Sequence, residues 1–522
     1  MKIEEISSIE AEIINEVNLL VENEKGLSKA PTSLSTNKIL KKIINDAPNV
    51  DFQLLAFPKI GDWLNDLKDL NSDREGNSKE IKALQRKIAA CKLTKIHYLI
   101  HAVERLEKMA SEGNWSFSKR EGSVYLFNGK HWKQIDKEQF QHFLGNLGVK
   151  MGIPSIHSKH HAFKDDLMKQ FFATYYLEKD DENNSNVVIN LANGCFEISS
   201  SSQRLRDFRK SDFLNYQLPF NYDQDAKAPL FMKYLNRVLP SKSLQQVFFE
   251  AIAYSLTRNK DCKLEKMIIL KGEGSNGKSV ALDLIQKLLG RENLSNYSLS
   301  SLTNTTGYSR ANIGDKLVNI ASELSGSLES DIFKQLASGE PVEARKPYGE
   351  AFILHDYARF IFACNVLPQV EHTVGFFRRF LIIPFDVYIP KEERDIDLVN
   401  KIVNAGELSG IFNLVLCGLN RILKNRGFSD SEEIDEVGHQ YKIESNSVLM
   451  FLEDSNYESS INEYVTISQV YPMYLRYCQN AGNSPFSRLN FQKTLIKNGV
   501  IVKRMNVGKV AYLNYKGDND DF

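Results

Sequence analysis

The apolar run Met267-Ile268-Ile269-Leu270 leads, after one lysine, into Gly272-Glu273-Gly274-Ser275-Asn276-Gly277-Lys278-Ser279, and residues 280–289 continue with helical spacing. No other stretch constrains the fold as much. A glycine-rich turn between strand and helix aims successive backbone N–H groups at one point, and the helix N-terminus adds its positive end. A nucleoside triphosphate suits that nest. Lys278 supplies a cation for the β and γ phosphates, and Ser279 a hydroxyl ligand for Mg²⁺. Four fixed positions match by chance in roughly 2% of chains this long, and the strand before and helix after lower that further. Apolar runs at 317–321, 360–364 and Phe380–Pro384 supply the partner strands of a parallel α/β core.

At 522 residues the chain has room for roughly two to four domains. Lys plus Arg balance Asp plus Glu at 66 each, so no global basic field advertises nucleic acid, although a neutral total leaves room for a local basic face. The six cysteines stand far apart without CxxC spacing, which argues for reduced thiols and against a zinc site or disulfide framework. His157, His160 and His161 lack a completing Cys or acid pair and read as a basic loop. No stretch approaches about 18 consecutive apolar residues, and residues 1–25 lack the pattern of a secretory leader. The expectation is a cytoplasmic protein, in a bacterium or an infected cell, without a membrane partner.

Along the chain, residues 1–114 read as helical, with Ile81, Leu84, Ile88, Leu99, Val103 and Leu106 on an apolar stripe. Residues 115–227 read as a small α/β domain with hairpins at Asn128-Gly129 and Asn193-Gly194. Helical residues 228–262 precede the core at 263–426, a polar linker covers 427–445, and a last unit covers 446–516. In that unit two helices precede two short strands, 500–504 and 510–513, the outline of a winged helix. Its bases Arg488, Lys493, Lys497, Lys503, Arg504, Lys509 and Lys516 stand with no acid from 484 to 516, which suits phosphate contacts, and protein docking is the alternative use. Residues 517–522 form an acidic tail ending in Phe522, read as a solvated terminus.

Four further motifs follow the loop in order. Lys316-Leu317-Val318-Asn319-Ile320-Ala321-Ser322-Glu323 is an apolar strand ending in an acid, where Glu323 can act on an attacking water. Ser322 replaces a second acid. Residues 333–348 end in Arg345-Lys346-Pro347-Tyr348, a hairpin tip with cations for phosphate and a ring for a base. Phe360-Ile361-Phe362-Ala363-Cys364-Asn365 is a strand ending in an amide. Gly375-Phe376-Phe377-Arg378-Arg379-Phe380 sets twin arginines before another buried strand.

Over roughly residues 115–516 this series resembles the superfamily 3 helicases of the AAA+ class, in the poxvirus, phage and plasmid primase–helicase branch. The resemblance implies a multidomain fold: a helical N-terminal region, a small α/β domain, a P-loop AAA+ motor with a helical collar (228–262, with 398–425), and a C-terminal winged helix. It also implies an ATP- and Mg²⁺-dependent DNA helicase moving 3′-to-5′ as a hexameric ring on single-stranded and forked DNA, for replication of a phage, plasmid or other mobile element. Asn365 becomes the γ-phosphate sensor, Arg378 and Arg379 the arginine finger offered to a neighbouring subunit, and Lys346 and Tyr348 the channel-facing contacts. Residues 1–114 show no primase carboxylate constellation, so a separate primase or single-strand-binding protein is the expected partner. The rival reading is a nucleotide-switched initiator that marks or melts an origin without processive unwinding.

Overall fold

The computed structural model describes residues 34–72, 78–120, 122–175, 186–199, 202–322, 324, 329–368 and 374–516. Glu323 and the tail 517–522 lie outside the described residues, as does the start of the helical region, 1–33. The chain divides between Tyr222 and Asp223 into two compact units.

Seven strands organise residues 267–384 of the second unit: β1 (Met267–Lys271), β2 (Leu294–Ser295), β3 (Val318–Ala321), β4 (Val342–Arg345), β5 (Ala351–Leu354), β6 (Arg359–Cys364) and β7 (Phe380–Pro384). Five of them form one sheet in the order β7-β1-β6-β3-β2, and every neighbouring pair is parallel. β1, β6 and β7 are apolar along nearly their whole length because both faces are covered. Asn319 in β3 is the buried exception, and its amide is satisfied: it accepts from Ser295 Oγ (2.9 Å) and Tyr297 N (2.9 Å) and donates to Tyr297 O (2.8 Å). β4 and β5 stand apart as an antiparallel hairpin.

Helices from either side of this sheet in the sequence pack together. Lys242–Tyr254 lies on Leu408–Asn425, and Gly418 is required there, since a Cβ would come within 2.8 Å of the Phe249 backbone. Pro229–Val238 has no side-chain cap of its own. The Glu407 carboxylate supplies one, accepting from Leu230 N (3.0 Å) and Phe231 N (2.9 Å). The expected linker at 427–445 is instead largely a helix, Glu432–Glu444, which packs on β7 and buries Tyr441 in the core beside the sheet.

The last region, 446–516, has its own core around Phe451, Val470, Tyr474, Phe491 and Leu495. Helices Ile467–Asn480 and Arg488–Lys497 precede strands Val502–Met505 and Gly508–Ala511, which pair as a hairpin, while Val465–Thr466 joins the outer side of Gly508–Ala511.

In the first unit, helices Thr36–Asp46, Phe52–Ala56 and Lys95–Glu112 share one apolar core with strands Ser116–Arg120 and Ser123–Phe127 and helices Lys137–Lys150 and His161–Thr174. The boundary drawn at residues 114/115 therefore cuts through a core rather than between domains. Both expected hairpins form, Ser123–Phe127 with Trp132–Ile135 and Val187–Leu191 with Gly194–Ile198. The second turns on Ala192-Asn193, one residue earlier than the Asn-Gly reading. Of the three histidines read as a loop, His157 lies in helix Ser155–Lys159 and His161 opens helix His161–Thr174, with His160 as the single extended residue between them.

Candidate functional site

The glycine loop leaves β1 and ends where helix Lys278–Leu289 begins. Gly274, Ser275 and Gly277 have φ of 109°, 54° and 88°, the left-handed backbone that turns N–H groups inward. Gly272 is needed for close approach: a Cβ would lie 2.5 Å from Phe385 O and 2.1 Å from Asn276 Nδ2. The loop is tied to its surroundings at three places. Gly272 N donates to Cys364 O (3.2 Å), Ile389 N to Ser275 O (2.7 Å), and Tyr234 Oη to Gly277 O (2.8 Å).

The first tie puts the end of β6 beside the loop, and Asn365 follows immediately. Lys278 Nζ then donates to Asn365 Oδ1 and Asn276 Oδ1, both at 3.3 Å, and to Gly272 O. All three acceptors are neutral. Adjacent Cys364 stays a thiol, its pKa pushed up to about 11 by burial. Burial also lowers the pKa of Lys278, and among the described residues no carboxylate pairs with it. A buried ammonium without a counter-anion, facing open N–H groups, fits a bound polyphosphate. Glu273, Gly274, Ser275 and Ser279 are exposed on the open side, so the Ser279 hydroxyl is accessible to a phosphate-bound Mg²⁺.

Ala321 of β3 registers with Phe362 of β6, so the strand leading toward Glu323 runs directly beside the Asn365 strand. The twin arginines separate. Arg379 is 10% exposed and committed inward, its Nε and Nη2 donating to Ser338 Oγ (3.1 and 2.9 Å) and its Nη1 to Gly375 O. Arg378 is 61% exposed and touches Glu265 Oε2 at 3.4 Å. Both precede β7, at the end of the sheet opposite the glycine loop.

The β4–β5 hairpin carries Lys346, Pro347 and a fully exposed Tyr348 at its tip. Arg345 Nε braces the tip by donating to Gly349 O (3.0 Å). Buried Arg310 anchors the base, donating to Glu343 O, Leu302 O and Asn304 O at 2.6–2.8 Å. In the last region Arg488, Lys493, Lys497, Lys503, Arg504 and Lys509 are all exposed. Lys509 Nζ reaches Gln492 Oε1 (3.0 Å), tying the hairpin to helix Arg488–Lys497, and Arg504 sits directly opposite Lys509 across the hairpin. Like charges facing one another are unfavourable without an anion between them.

Sequence reasoning missed Tyr234, Glu265, Arg310 and Ser338. Each acts through a partner far along the chain, as Tyr234 does across 43 residues, and no local spacing announces such a contact.

Residues 103–240 match the family described as "D5 N terminal like", and residues 443–518 the family described as "Poxvirus D5 protein-like". The D5 primase–helicase family is thereby supported. Residues 270–379, the loop through the twin arginines, match a family of unknown function. The chain is 22% identical over 240 residues to the protein named "Putative helicase L207/L206" of Acanthamoeba polyphaga mimivirus, an overlap covering 43% of this chain. The overlap spans about a quarter of that relative's length, 24%. Among solved structures, two apo forms of the NrS-1 C-terminal region align at 12% identity. Their TM-scores are 0.40 and 0.42, covering 80% and 78% of this chain and 100% and 98% of theirs.

Proposed function

We propose that the chain is the ATP-hydrolysing motor of a ring-forming DNA helicase of the superfamily 3, AAA+ kind, acting in replication of a virus, phage, plasmid or similar element. The observation that carries the ring is the placement of Lys278 and Arg378 at opposite ends of β1. Five strand residues span roughly 16 Å, more than an arginine side chain reaches, so Arg378 cannot serve the nucleotide of its own loop. It serves a second copy's, and the ATP site is complete only between subunits, in a ring read here as hexameric.

Within that site the loop N–H groups and Lys278 hold the triphosphate. Asn365, held beside Lys278 by its Oδ1, senses the γ-phosphate and helps orient the attacking water. Glu323, at the end of the β3 segment, is the base that takes the water's proton. Mg²⁺, held through Ser279, would neutralise the β and γ oxygens. Arg378 stabilises charge on the transferred group. Arg379 holds the finger's base in place by its bonds to Ser338 and Gly375 and is not itself the finger.

Lys346 and Tyr348 track single-stranded DNA, one by phosphate and one by base stacking. A bracing arginine behind an exposed aromatic tip favours translocation over the initiator reading, since a switch that only marks DNA has no need of a stiff projecting tip. The C-terminal region acts as a winged helix, with Arg488, Lys493 and Lys497 on the helix and Lys503, Arg504 and Lys509 on the wing contacting phosphates. Movement 3′-to-5′, cytoplasmic action and a separate primase or single-strand-binding partner complete the proposal. The mimivirus relative's helicase name and the D5 matches support it.

Mixing tests the ring directly. Arg378→Ala and Lys278→Ala proteins should each be nearly inactive as ATPases, and their mixture should regain turnover, because mixed rings contain junctions with an intact loop and an intact finger. Mixed rings that form and stay inactive would overturn the in-trans site.

A further inference from the structure

The register of the central sheet has an effect beyond the core. β1 and β7 pair Met267 with Phe380, so the residues two positions upstream on each strand, Glu265 and Arg378, arrive side by side. Arg378 Nη2 lies 3.4 Å and Arg379 Nη2 4.0 Å from Glu265 Oε2, and Lys263 Nζ lies 3.8 Å from Glu265 Oε1. One carboxylate is shared by three cations, leaving a positive surplus around it. Glu265 takes this place with φ of 55°, a left-handed backbone that side-chain-bearing residues adopt rarely and that persists where the surroundings enforce it. The next residue is fixed as well, Lys266 Nζ donating to Phe380 O (3.4 Å). Beside the pair opens a cavity of about 730 Å³ with Lys266, Arg378, Arg426 and Asp435 in its wall.

We propose that Glu265 is a positioning residue for Arg378, a role that rests on Arg378 being the in-trans finger. An arginine that is 61% exposed would otherwise sample many rotamers, and each finger would lose that freedom at every encounter with a neighbour's nucleotide. The Glu265 contact engages a single guanidinium nitrogen, Nη2. Among the described residues Nε and Nη1 make no hydrogen bond, so most of the planar fork stays available to phosphate oxygens. The surrounding positive surplus prevents Glu265 from repelling the approaching anion, since Lys263 and Arg379 offset its charge. Glu265 thus orders the finger without consuming it.

A double-mutant cycle tests this on the assembled protein. Glu265→Ala should lower kcat roughly tenfold with KM for ATP nearly unchanged, because it loosens a group used only in the transition state. Adding Glu265→Ala to Arg378→Ala should cost nothing further, since its effect runs through Arg378. Glu265→Gln, which keeps the shape and one acceptor oxygen, should fall between wild type and Glu265→Ala, and it supplies the same cycle should the alanine variant fold poorly. Effects of the two changes that multiply, with Arg378→Ala alone severely impaired, would overturn the positioning role while leaving the finger intact. Wild-type turnover in Arg378→Ala would remove the finger, and the Glu265 role with it.

Discussion

Lys278 Nζ donates to Asn365 Oδ1 at 3.3 Å across 87 residues of chain, so the loop cation and the amide at the end of the neighbouring strand meet before any nucleotide arrives. The contact separates two roles that substitution should resolve. Lys278→Ala should abolish hydrolysis and weaken ATP binding strongly. Asn365→Ala should bind ATP within a few-fold of wild type and hydrolyse it roughly a hundredfold more slowly, the usual cost of losing one transition-state donor. Nucleotide titration alongside phosphate release measures both; an equal loss of affinity in the two variants would place Asn365 in ground-state binding.

Glu323→Gln should load ATP and hold it. The amide keeps the size of the side chain and removes the base, so turnover should fall with affinity retained. Loss of binding together with hydrolysis would make Glu323 a structural or metal-holding group.

The twin arginines should differ in stability as well as in activity. Arg379→Ala leaves Ser338 Oγ and Gly375 O without their buried donor and should cost about 2–3 kcal/mol in denaturant melts. Arg378→Ala removes an exposed ion pair and should leave stability within about 0.5 kcal/mol of wild type. Similar melting losses for both would mean that Arg378 is also a structural residue.

Lys346→Ala combined with Tyr348→Ala should stop strand displacement while basal ATP hydrolysis stays largely intact, because the tip is exposed and its hairpin is anchored separately by Arg310. A forked-duplex assay beside an ATPase assay reads both, and unchanged unwinding would move the DNA contact elsewhere.

Removing residues 446–522 should weaken duplex binding and flatten its dependence on salt, by roughly 0.9 in the log–log slope for each phosphate no longer neutralised. A slope that does not change would make this region a protein-docking module, a use its exposed Leu489 and Ile496 would also suit.

The parts of the site legible in the sequence are those with local signatures. A strand, a glycine turn and a helix follow one another without a break, so the turn at Gly272 to Ser279 was legible, and β6 was legible because a fully buried parallel strand is a continuous apolar run. The fate of the two arginines was not legible. Neighbours in sequence, they part because the Arg379 carbonyl already accepts from Met267 N at the sheet edge, sending that side chain inward to Ser338. The segment 427–445 was misread for a related reason. Glu432, Glu433, Asp435 and Glu436 make it look like a solvated joint, while Ile434, Val437 and Tyr441 recur at helical spacing on the other face. The division at 114/115 failed because a change from helical to strand pattern is not a change of core.

Tyr441 gives that misread helix a mechanical meaning. Its buried hydroxyl donates to Pro368 O at 2.6 Å, three residues beyond Asn365, and the helix it belongs to ends at Glu444, just before helix Ser447–Asp454 opens the C-terminal region. A shift of the Asn365 loop must either break this bond or drag the helix with it. The C-terminal region is thus linked through one helix to the strand end that carries Asn365, so under the proposed function a change at the phosphate site would reach the surface offered to DNA.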